Sequence, residues 1–478
     1  MAAYIDDLLN EAADNGDESM YEWGIVGAGV MSFDAEKRKV LEKQDWLQTL
    51  VECEDETYSV RILGSMIDFI PVEYEDHSHT ALKEYLLQPN IKIVSMTVTE
   101  GGYFLNPNTS KLDPHHPQIV HDSQHPDSPR TIFGIIVQAL YKRHQAGIAP
   151  FTVVSCDNIP KNGHVVQSVV LGLAKLMMDS EFVSWLEENV KFPNSMVDRI
   201  TPVTSDLERQ WINERFDYYD DWPVFCEPFR QWVMEDSFVN NERPPFEKVG
   251  VTFAEDVVPY EFMKIRVLNG GHAALCYPSA LLGLHFVHQA LEHEVISKFL
   301  DVLERREIIP TLGPVPNTSL PEYWELIAGR FANSCMNDTL SRICFDGANR
   351  QPKFIIPVIT DQLKRRDQHG KENDSKEGGD TGVDGLAIVS AMWCRYCQGT
   401  NEAGETIAPN DPIWDRLHEA ACKAKDTKDP SCWLKMEDIY GTIGEHPEFV
   451  ESFSKAWHMI QEKGVEATLQ NYVDESKK

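Results

Sequence analysis

The chain has 478 residues, of which 42% are hydrophobic and 25% are charged, and this is the size and composition of a globular protein with more than one domain. Its formal net charge of −32 argues against nucleic acid and anionic membranes as partners, because both bind basic patches. No apolar run is long enough for a transmembrane helix, and the acidic N-terminus lacks the features of a secretory signal. The sequence therefore predicts a soluble, cytoplasmic protein.

The first part of the chain alternates strands and helices. Apolar patterns predict helices at 4–12, 36–47, 131–147 and 164–178, and strands at 23–30, 56–63, 91–98 and 151–155. The strand at 91–98 is rich in β-branched and apolar residues, which is typical of a strand buried on both faces. This alternation predicts a parallel sheet in a Rossmann-like domain up to about residue 160.

From about residue 254 the pattern becomes mainly helical, and two segments are predicted as loops. Residues 106–130 are rich in Pro, His and Asp. Four histidines in this segment have irregular spacing, which favours a solvated loop over a metal site. Residues 366–384 are charged and glycine-rich, so we predict an exposed or disordered insertion there.

Ten cysteines are scattered through the chain, and the lack of a secretory signal favours free thiols over a disulfide framework. Cys394 and Cys397 form a C-x-x-C pair, but a structural zinc site would need a second pair at similar spacing. An apolar run at 387–393 directly precedes them. We therefore predict that both cysteines belong to a buried core helix.

Two glycines follow the predicted strand at 23–30, where a dinucleotide-binding fold places its phosphate turn. Gly27 and Gly29 match the start of that fingerprint, but Ser32 stands at its third glycine position and basic residues follow. The segment is either the phosphate turn itself or another strand of the same sheet.

The segment from Lys264 to His272 carries an amine, an amide and an imidazole. On an α-helix, positions 264, 268 and 272 stack on one face, and Asn269 lies about 100° round from 268. A desolvated lysine can act as a general base, an Asn amide can donate to a negatively charged oxygen, and a His can hold either group. The alternative is a core-facing helix on which Lys264 is solvated.

Several motifs occur in one order along the chain. They are Thr-Glu-Gly-Gly-Tyr at 99–103, Ser-Cys-Asp-Asn at 155–158, Phe-Pro-Asn-Ser-Met-Val-Asp-Arg-Ile-Thr-Pro at 192–202, Lys-Ile-Arg-Val-Leu-Asn-Gly-Gly-His at 264–272, and Arg-Gln-Pro-Lys-Phe at 350–354. Together they resemble the mannitol dehydrogenase family of polyol-specific long-chain dehydrogenases. The similarity extends from about residue 4 to about residue 460.

The resemblance implies a fold, a reaction and partners. It implies an α/β Rossmann-like NAD-binding domain at 1–253, with its first strand missing, and a mainly α-helical substrate and catalytic domain at 254–478. The implied reaction is NAD-dependent interconversion of a sugar alcohol and its ketose, with D-mannitol and D-fructose as the first choice, by metal-independent hydride transfer. The expected partner is a small polyol or ketose, and the expected state is a monomer or homodimer.

The resemblance also assigns roles to residues. Lys264 is the general base in oxidation and the acid in reduction, Asn158 and Asn269 are the oxyanion donors, and His272 orients the reacting group. Glu261, about one turn before Lys264, is a candidate proton relay. The implied cofactor-binding residues are Asp34, Glu100, Gly101, Asn158, Val197 and Asp198. The implied substrate-binding residues are Asn158, Lys264, Asn269, His272 and Arg342.

By the same resemblance, the strand at 23–30 is the second strand of the fold, and Asp34 takes the adenosine ribose hydroxyls. A carboxylate there favours NAD because it repels a 2′-phosphate, although Lys37 and Arg38 leave some room for NADP. Members of the family begin with a strand and a G-x-G-x-F-x-R-x-H phosphate turn, and this sequence begins with the helix that follows it. We therefore expect a late start codon or a truncated product, with a cost in stability and NAD binding.

Three alternatives remain open. The substrate could be a hexuronate, mannonate or altronate, because Arg342, Arg350 and Lys353 are available for its carboxylate. It could also be arabinitol. Finally, the chain could be a truncated, non-catalytic family member.

Overall fold

The computed structural model describes residues 1–16, 22–55, 57–106, 111–216, 218–369 and 382–477. The chain divides into an N-terminal unit, Met1–Val258, and a C-terminal unit, Pro259–Lys478. The expected domain boundary, after residue 253, lies just before this division. None of the described helices is long and apolar enough to cross a membrane.

The N-terminal unit contains both helices and strands. Its helices are α1 Ala2–Asn15, α2 Ser32–Lys43, α3 Thr80–Tyr85, α4 Pro117–Gln124, α5 Ile132–Gln145, α6 Asn162–Met177, α7 Ser180–Asn189 and α8 Asp206–Phe216, with 3-10 turns at Glu100–Tyr103, Val239–Asn241 and Phe246–Val249. Its strands are β1 Ile25–Gly27, β2 Gln48–Glu54, β3 Thr57–Leu63, β4 Met66–Phe69, β5 Ile93–Met96, β6 Thr152–Ser155, β7 Ser195–Asp198, β8 Val224–Cys226, β9 Gln231–Glu235 and β10 Thr252–Ala254.

The parallel strands bring functional segments to a common edge. β1 runs parallel to β4, and β5 runs parallel to β6 with Met96 opposite Ser155. β2 lies between β3 and β8, and β9 lies between β7 and β10. Among the described strands these pairings form separate small sheets rather than one continuous sheet. The β5–β6 pair nevertheless places the segments that follow Met96 and Ser155 next to each other.

The main apolar core of the N-terminal unit forms around α5, α6 and β6. Phe133, Val153 and Val169 are fully buried there. Thr131 begins α5 because its hydroxyl accepts a hydrogen bond of 2.9 Å from the Gly134 N–H. The predicted strand at 151–155 and the helices on either side of it are confirmed, with ends that differ by one or two residues.

Several predictions for the N-terminal unit need correction. The strand predicted at 91–98 is shorter, since β5 spans Ile93–Met96, and it is not buried on both faces, because Ser95 is exposed. The strand predicted at 23–30 is shorter and only half-buried, because β1 pairs with β4 alone. The loop predicted at 106–130 contains helix α4, which begins with Pro117 in its first turn. Asp122 anchors α4, since its carboxylate is fully buried and accepts hydrogen bonds from the Arg130 and Thr131 backbone N–H groups. Residues 107–110 of that loop lie outside the described residues.

The C-terminal unit is mainly helical, as predicted. Its α-helices are α9 Val258–Met263, α10 Gly270–Leu281, α11 Val287–Glu292, α12 Glu294–Leu303, α13 Leu320–Ala332, α14 Leu340–Cys344, α15 Gly347–Arg350, α16 Ile356–His369, α17 Asp384–Tyr396, α18 Trp414–Thr427, α19 Ser431–Leu434, α20 Glu437–Tyr440, α21 Pro447–Lys463 and α22 Val465–Glu475. Its π-helices are π1 Lys264–Asn269, π2 Glu304–Ile308 and π3 Gln351–Ile355, and its 3-10 turns are Ile309–Thr311, Ser334–Met336 and Gly441–Glu445.

Helix α17 forms the core of this unit, where it packs against α10 and α21. Cys394 and Cys397 are buried at its C-terminal end as free thiols, so the core-helix interpretation is confirmed. The loop predicted at 366–384 was wrong at its start, because α16 continues to His369. Residues 370–381 of that prediction lie outside the described residues.

Candidate active site

A π-helix, rather than the predicted α-helix, carries the first part of the candidate site in the C-terminal unit. In π1 the backbone hydrogen bonds join residues five apart, so Lys264 and Asn269 follow one another on one face. α10 resumes α-helical geometry at Gly270, and His272, three residues after Asn269, continues the same face. The three side chains therefore share a face, as predicted. They do so because of the π-helical turn and not because of α-helical spacing.

The Lys264 side chain is buried, which contradicts the alternative in which it is solvated. Lys264 and His272 are each 7% exposed, and Glu261 is 6% exposed. Asn269 is half-buried. A lysine in such a place has lost most of the hydration that stabilises its charged form.

Two buried polar atoms on this face have no hydrogen-bond partner among the described residues: Oδ1 of Asn269 and Nε2 of His272. Buried polar groups in native proteins are nearly always paired with protein, water or ligand. Both side chains share the face of Lys264, so a polyhydroxylated ligand on this face could complete their hydrogen bonding.

The His272 ring is held in a neutral state. It stacks on Phe331 with ring centroids 4.2 Å apart. Burial holds the pKa of His272 well below its usual value, and the positive charges of Arg342, Arg350 and Arg330 lower it further. A neutral imidazole can accept or donate a hydrogen bond at Nε2, depending on its tautomer.

Arg342, an implied substrate residue, lies on α14 and is largely exposed. Its guanidinium makes two hydrogen bonds, of 2.8 and 2.5 Å, to the carboxylate of Asp338. The same ion pair fixes the side chain one turn from Asp338. Arg342 is therefore preorganised, and its positive charge helps to lower the pKa of His272.

One buried carboxyl beside this site was not predicted. Glu304, the first residue of π2, is fully buried, and neither of its oxygens has a partner in the described part of the chain. Burial raises the pKa of Glu304 well above its usual value, and the negative charge of Asp301 raises it further. A methyl group added at Gly271 would lie 3.0 Å from Oε1 of Glu304 and 3.2 Å from the Phe331 ring. No sequence pattern marked Glu304, because charged residues on helices are usually solvated.

In the N-terminal unit, implied cofactor residues follow the adjacent strands β5 and β6. Glu100 and Gly101 lie in the 3-10 turn after β5, and Thr99 before them has φ 61° and ψ 165°. Gly101 is exposed, with open space where a Cβ would be. Asn158 is also exposed, and it lies three residues after Ser155, the last residue of β6. Asp157 and Asn162, which also follow β6, are buried. Asp157 belongs to the motif at 155–158, but the sequence assigned neither residue a role.

The remaining implied cofactor residues lie on β7 and α2. Val197 is half-buried and Asp198 is buried on β7, opposite Trp232 and Gln231 of β9. Asp34 lies in the first turn of α2.

The Asp34 carboxylate is a helix cap as well as a candidate ribose ligand. Its Oδ2 accepts hydrogen bonds of 3.0 Å from the backbone N–H groups of Val30 and Met31. This cap explains why α2 begins four residues earlier than predicted. It also explains Gly29, because a Cβ there would lie 2.3 Å from the Asp34 side chain, and Gly27 is explained in the same way by Phe69. The two glycines therefore have local packing roles.

In the described residues no group of three or more His, Cys, Asp and Glu side chains is arranged to hold a metal ion.

Comparisons with known proteins cover both units. The model of the mannitol dehydrogenase Rossmann domain matches residues 3–248, and that of the mannitol dehydrogenase C-terminal domain matches residues 256–461. A mannitol 2-dehydrogenase from Cereibacter sphaeroides is 45% identical over 472 residues, which cover 99% of this chain and 93% of the relative. The mannitol dehydrogenase DSF1 of Saccharomyces cerevisiae is 37% identical over 455 residues, 95% of this chain and 87% of the relative.

Two solved structures resemble the whole chain. The Pseudomonas fluorescens mannitol 2-dehydrogenase in a ternary complex with NAD and D-mannitol is 39% identical with a TM-score of 0.80, and the match covers 99% of this chain and 91% of that one. A D-sorbitol dehydrogenase in substrate-free form is 32% identical with a TM-score of 0.84, and covers 98% of this chain and 91% of its own.

Proposed function

Because this chain belongs to the mannitol dehydrogenase family, it is an NAD-dependent polyol dehydrogenase, and we propose that it interconverts D-mannitol and D-fructose with Lys264 as the general acid–base group. The observation that carries the proposal is the shared face of π1 and α10. It presents a buried lysine beside two polar atoms that lack partners in the described residues.

These side chains match the groups that hydride transfer from a polyol requires. In oxidation, Lys264 takes the proton of the reacting hydroxyl and returns it in reduction. The amide groups of Asn158 and Asn269 donate to the oxygen as it becomes a carbonyl. Neutral His272 pairs with a neighbouring hydroxyl through Nε2, and Glu261 passes the proton of Lys264 to solvent. Arg342 binds the chain of hydroxyls farther along.

Bound NAD supplies the hydride acceptor. Asp34, Glu100, Gly101, Asn158, Val197 and Asp198 are the residues that would hold it. Asp34 fits this role because its Oδ1 receives no hydrogen bond within the described part of the chain, and so remains open to a ribose hydroxyl. Arg38 disfavours NADP, because its guanidinium is already engaged by the Phe69 carbonyl at 2.9 Å and by Glu42.

Replacement of the buried lysine tests the proposal. Lys264→Ala should lower kcat for mannitol oxidation by about 10²- to 10⁴-fold while NADH affinity stays within about twofold, because only the proton transfer is lost. The measurement is steady-state kinetics together with NADH binding by tryptophan fluorescence. Added small primary amines should restore part of the rate.

The matched control is Lys298→Ala. Lys298 is an exposed lysine on α12 that pairs with Glu294 one turn away, so its loss should leave kcat unchanged. If Lys264→Ala turned over at the parental rate, Lys264 would not be the acid–base group.

A hexuronate is the second candidate substrate, and one observation favours it. Arg330, Arg342 and Arg350 all place positive charge near His272, and the Arg350 guanidinium makes no hydrogen bond or ion pair with another described residue. A substrate carboxylate would satisfy such a group. A panel of mannitol, arabinitol, sorbitol, mannonate and altronate separates the candidates by kcat/KM.

A further inference from the structure

One buried carboxylate, that of Asp157, accepts hydrogen bonds from several groups of the loop that follows β5. Oδ2 of Asp157 accepts a hydrogen bond of 2.8 Å from the Val98 N–H, and Oδ1 accepts one of 3.0 Å from the Thr99 N–H. The Tyr103 hydroxyl donates to Oδ2 at 2.6 Å. Asp157 thus binds both ends of the 99–103 turn, which has an unusual positive φ at Thr99.

The donors around Asp157 have fixed directions. Tyr103 is fully buried, and its hydroxyl also lies 2.7 Å from Oγ of Ser155. Because the phenol proton goes to Asp157, Ser155 is the donor to Tyr103. Burial, and next the hydrogen bond to Asp157, raise the pKa of Tyr103 above its usual value, so the phenol keeps the proton that it donates.

Asn162, at the start of α6, links the same segment to β7. Its side chain is fully buried, and Nδ2 donates to the carbonyl oxygens of Asp157 and Ser195 at 3.1 and 2.7 Å. Its Oδ1 accepts from the Ser195 N–H at 2.8 Å. Ser195 is the first residue of β7, and its hydroxyl donates to the Ser155 carbonyl at 2.6 Å.

We propose that Asp157, with Asn162 behind it, is a positioning residue that fixes the 99–103 turn, the segment of Asn158 and the start of β7 relative to one another. These three segments carry every implied cofactor residue except Asp34. The proposal rests on the proposed function only for its effect on catalysis, since the hydrogen bonds themselves lie within the N-terminal unit.

An aspartate is needed at 157 because three donors converge on it. An Asn has one oxygen and one NH2 group, so Asp157→Asn must place a donor against the Val98 or Thr99 N–H. The turn then loses at least one charge-assisted hydrogen bond. This predicts a rise of about tenfold or more in the Kd for NADH, with a fall in kcat because Asn158 moves with the same segment.

The test compares Asp157→Asn with Asp179→Asn in the full-length protein. Asp179 also accepts a backbone hydrogen bond, from Phe182 at 2.9 Å, but it caps α7 away from the three segments. The control therefore loses stability without loss of NADH affinity. Hydrogen exchange at the Val98 and Thr99 amides gives a second measurement that does not depend on activity.

The expected result is faster exchange at Val98 and Thr99, weaker NADH binding and lower kcat in Asp157→Asn alone. Tyr103→Phe should lose part of the same affinity, and the double variant should lose less than the sum, since both changes break one network. Unchanged exchange and NADH affinity in Asp157→Asn would overturn the proposal. An inactive parent protein with the expected exchange pattern would instead contradict the proposed function and leave the positioning role in place.

Discussion

At the scale of single residues, Glu307 is a further buried carboxyl of the C-terminal unit, and it caps α17. Its oxygens accept hydrogen bonds of 2.7 and 2.9 Å from the Gly385 and Leu386 N–H groups, and a third of 2.7 Å from the Tyr472 hydroxyl. Burial raises the pKa of Glu307 to about 7, because desolvation outweighs these donors. The group therefore titrates near neutral pH.

This titration predicts how stability depends on pH. The folded pKa lies above the ordinary value of 4.5, so proton binding stabilises the fold. The contribution is complete below pH 4.5 and is lost as pH rises through about 7, a change of about 3 kcal/mol. Glu307→Gln should remove this pH-dependent contribution, so that Tm falls less between pH 5 and pH 8 than in the parent protein. The exposed Glu292→Gln variant is the control, and equal pH dependence in all three proteins would contradict the assignment.

Residues of the candidate site were predictable to different degrees. Lys264, Asn269 and His272 fall within one short segment, so their residue types and spacing already indicate a site. Glu304 and Asp157 did not emerge in the same way. Their burial depends on partners distant in the chain, such as the Gly271 segment and Tyr103, and local sequence does not contain that information.

At the scale of elements, Gly271 in the first turn of α10 allows Glu304 and Phe331 to pack closely against the site. Gly271→Ala would press a methyl group against Glu304 and against Phe331, which stacks on His272. Overpacking of this kind costs about 1–3 kcal/mol. We expect a lower Tm and a several-fold lower kcat, measured by calorimetry and steady-state kinetics.

Gly329→Ala is the matched control on α13 of the same unit. A Cβ there meets nothing within 4 Å, so the helix should gain up to about 1 kcal/mol from its higher propensity. If Gly271→Ala were as stable and active as this control, the contact with Glu304 and Phe331 would not constrain the site.

Element types were harder to predict where packing decides them. Apolar periodicity indicates a helix at 264–272 but does not distinguish a π-helix from an α-helix, because the difference is one residue within a turn. Composition also misled at 106–130 and at 366–369. Polar composition does not exclude a helix: α4 is helical with Ile119 and Asp122 buried, and α16 stays helical as far as His369.

At the scale of the whole molecule, the chain divides into two compact units, Met1–Val258 and Pro259–Lys478. We expect calorimetric unfolding to resolve two transitions. NADH at about 100 times its Kd should raise the stability of the N-terminal unit alone by about 2.7 kcal/mol. Hydrogen exchange assigns each transition to a unit, and an equal gain of protection in both units would contradict this expectation.

The fold class was predictable because it depends on patterns that repeat along the chain. Alternating strands and helices indicated the Rossmann-like half, and long helical periodicity indicated the second half. The sheet pairings were less accessible, since β2 pairs with β8 across more than 170 residues of sequence.

The π-helix at Lys264–Asn269 makes the site sensitive to a kind of mutation that substitutions do not mimic. Across the eight steps from Lys264 to His272, an unbroken α-helix turns about 800°, which leaves the two side chains about 80° apart. The wider turn of π1 takes up this difference and brings them nearly into line. Insertion of one further codon within this segment would keep every functional side chain in the sequence and still rotate lysine and histidine away from each other. Deletion of one codon would instead restore an α-helix whose seven steps turn about 700°, and would keep the two side chains nearly in line.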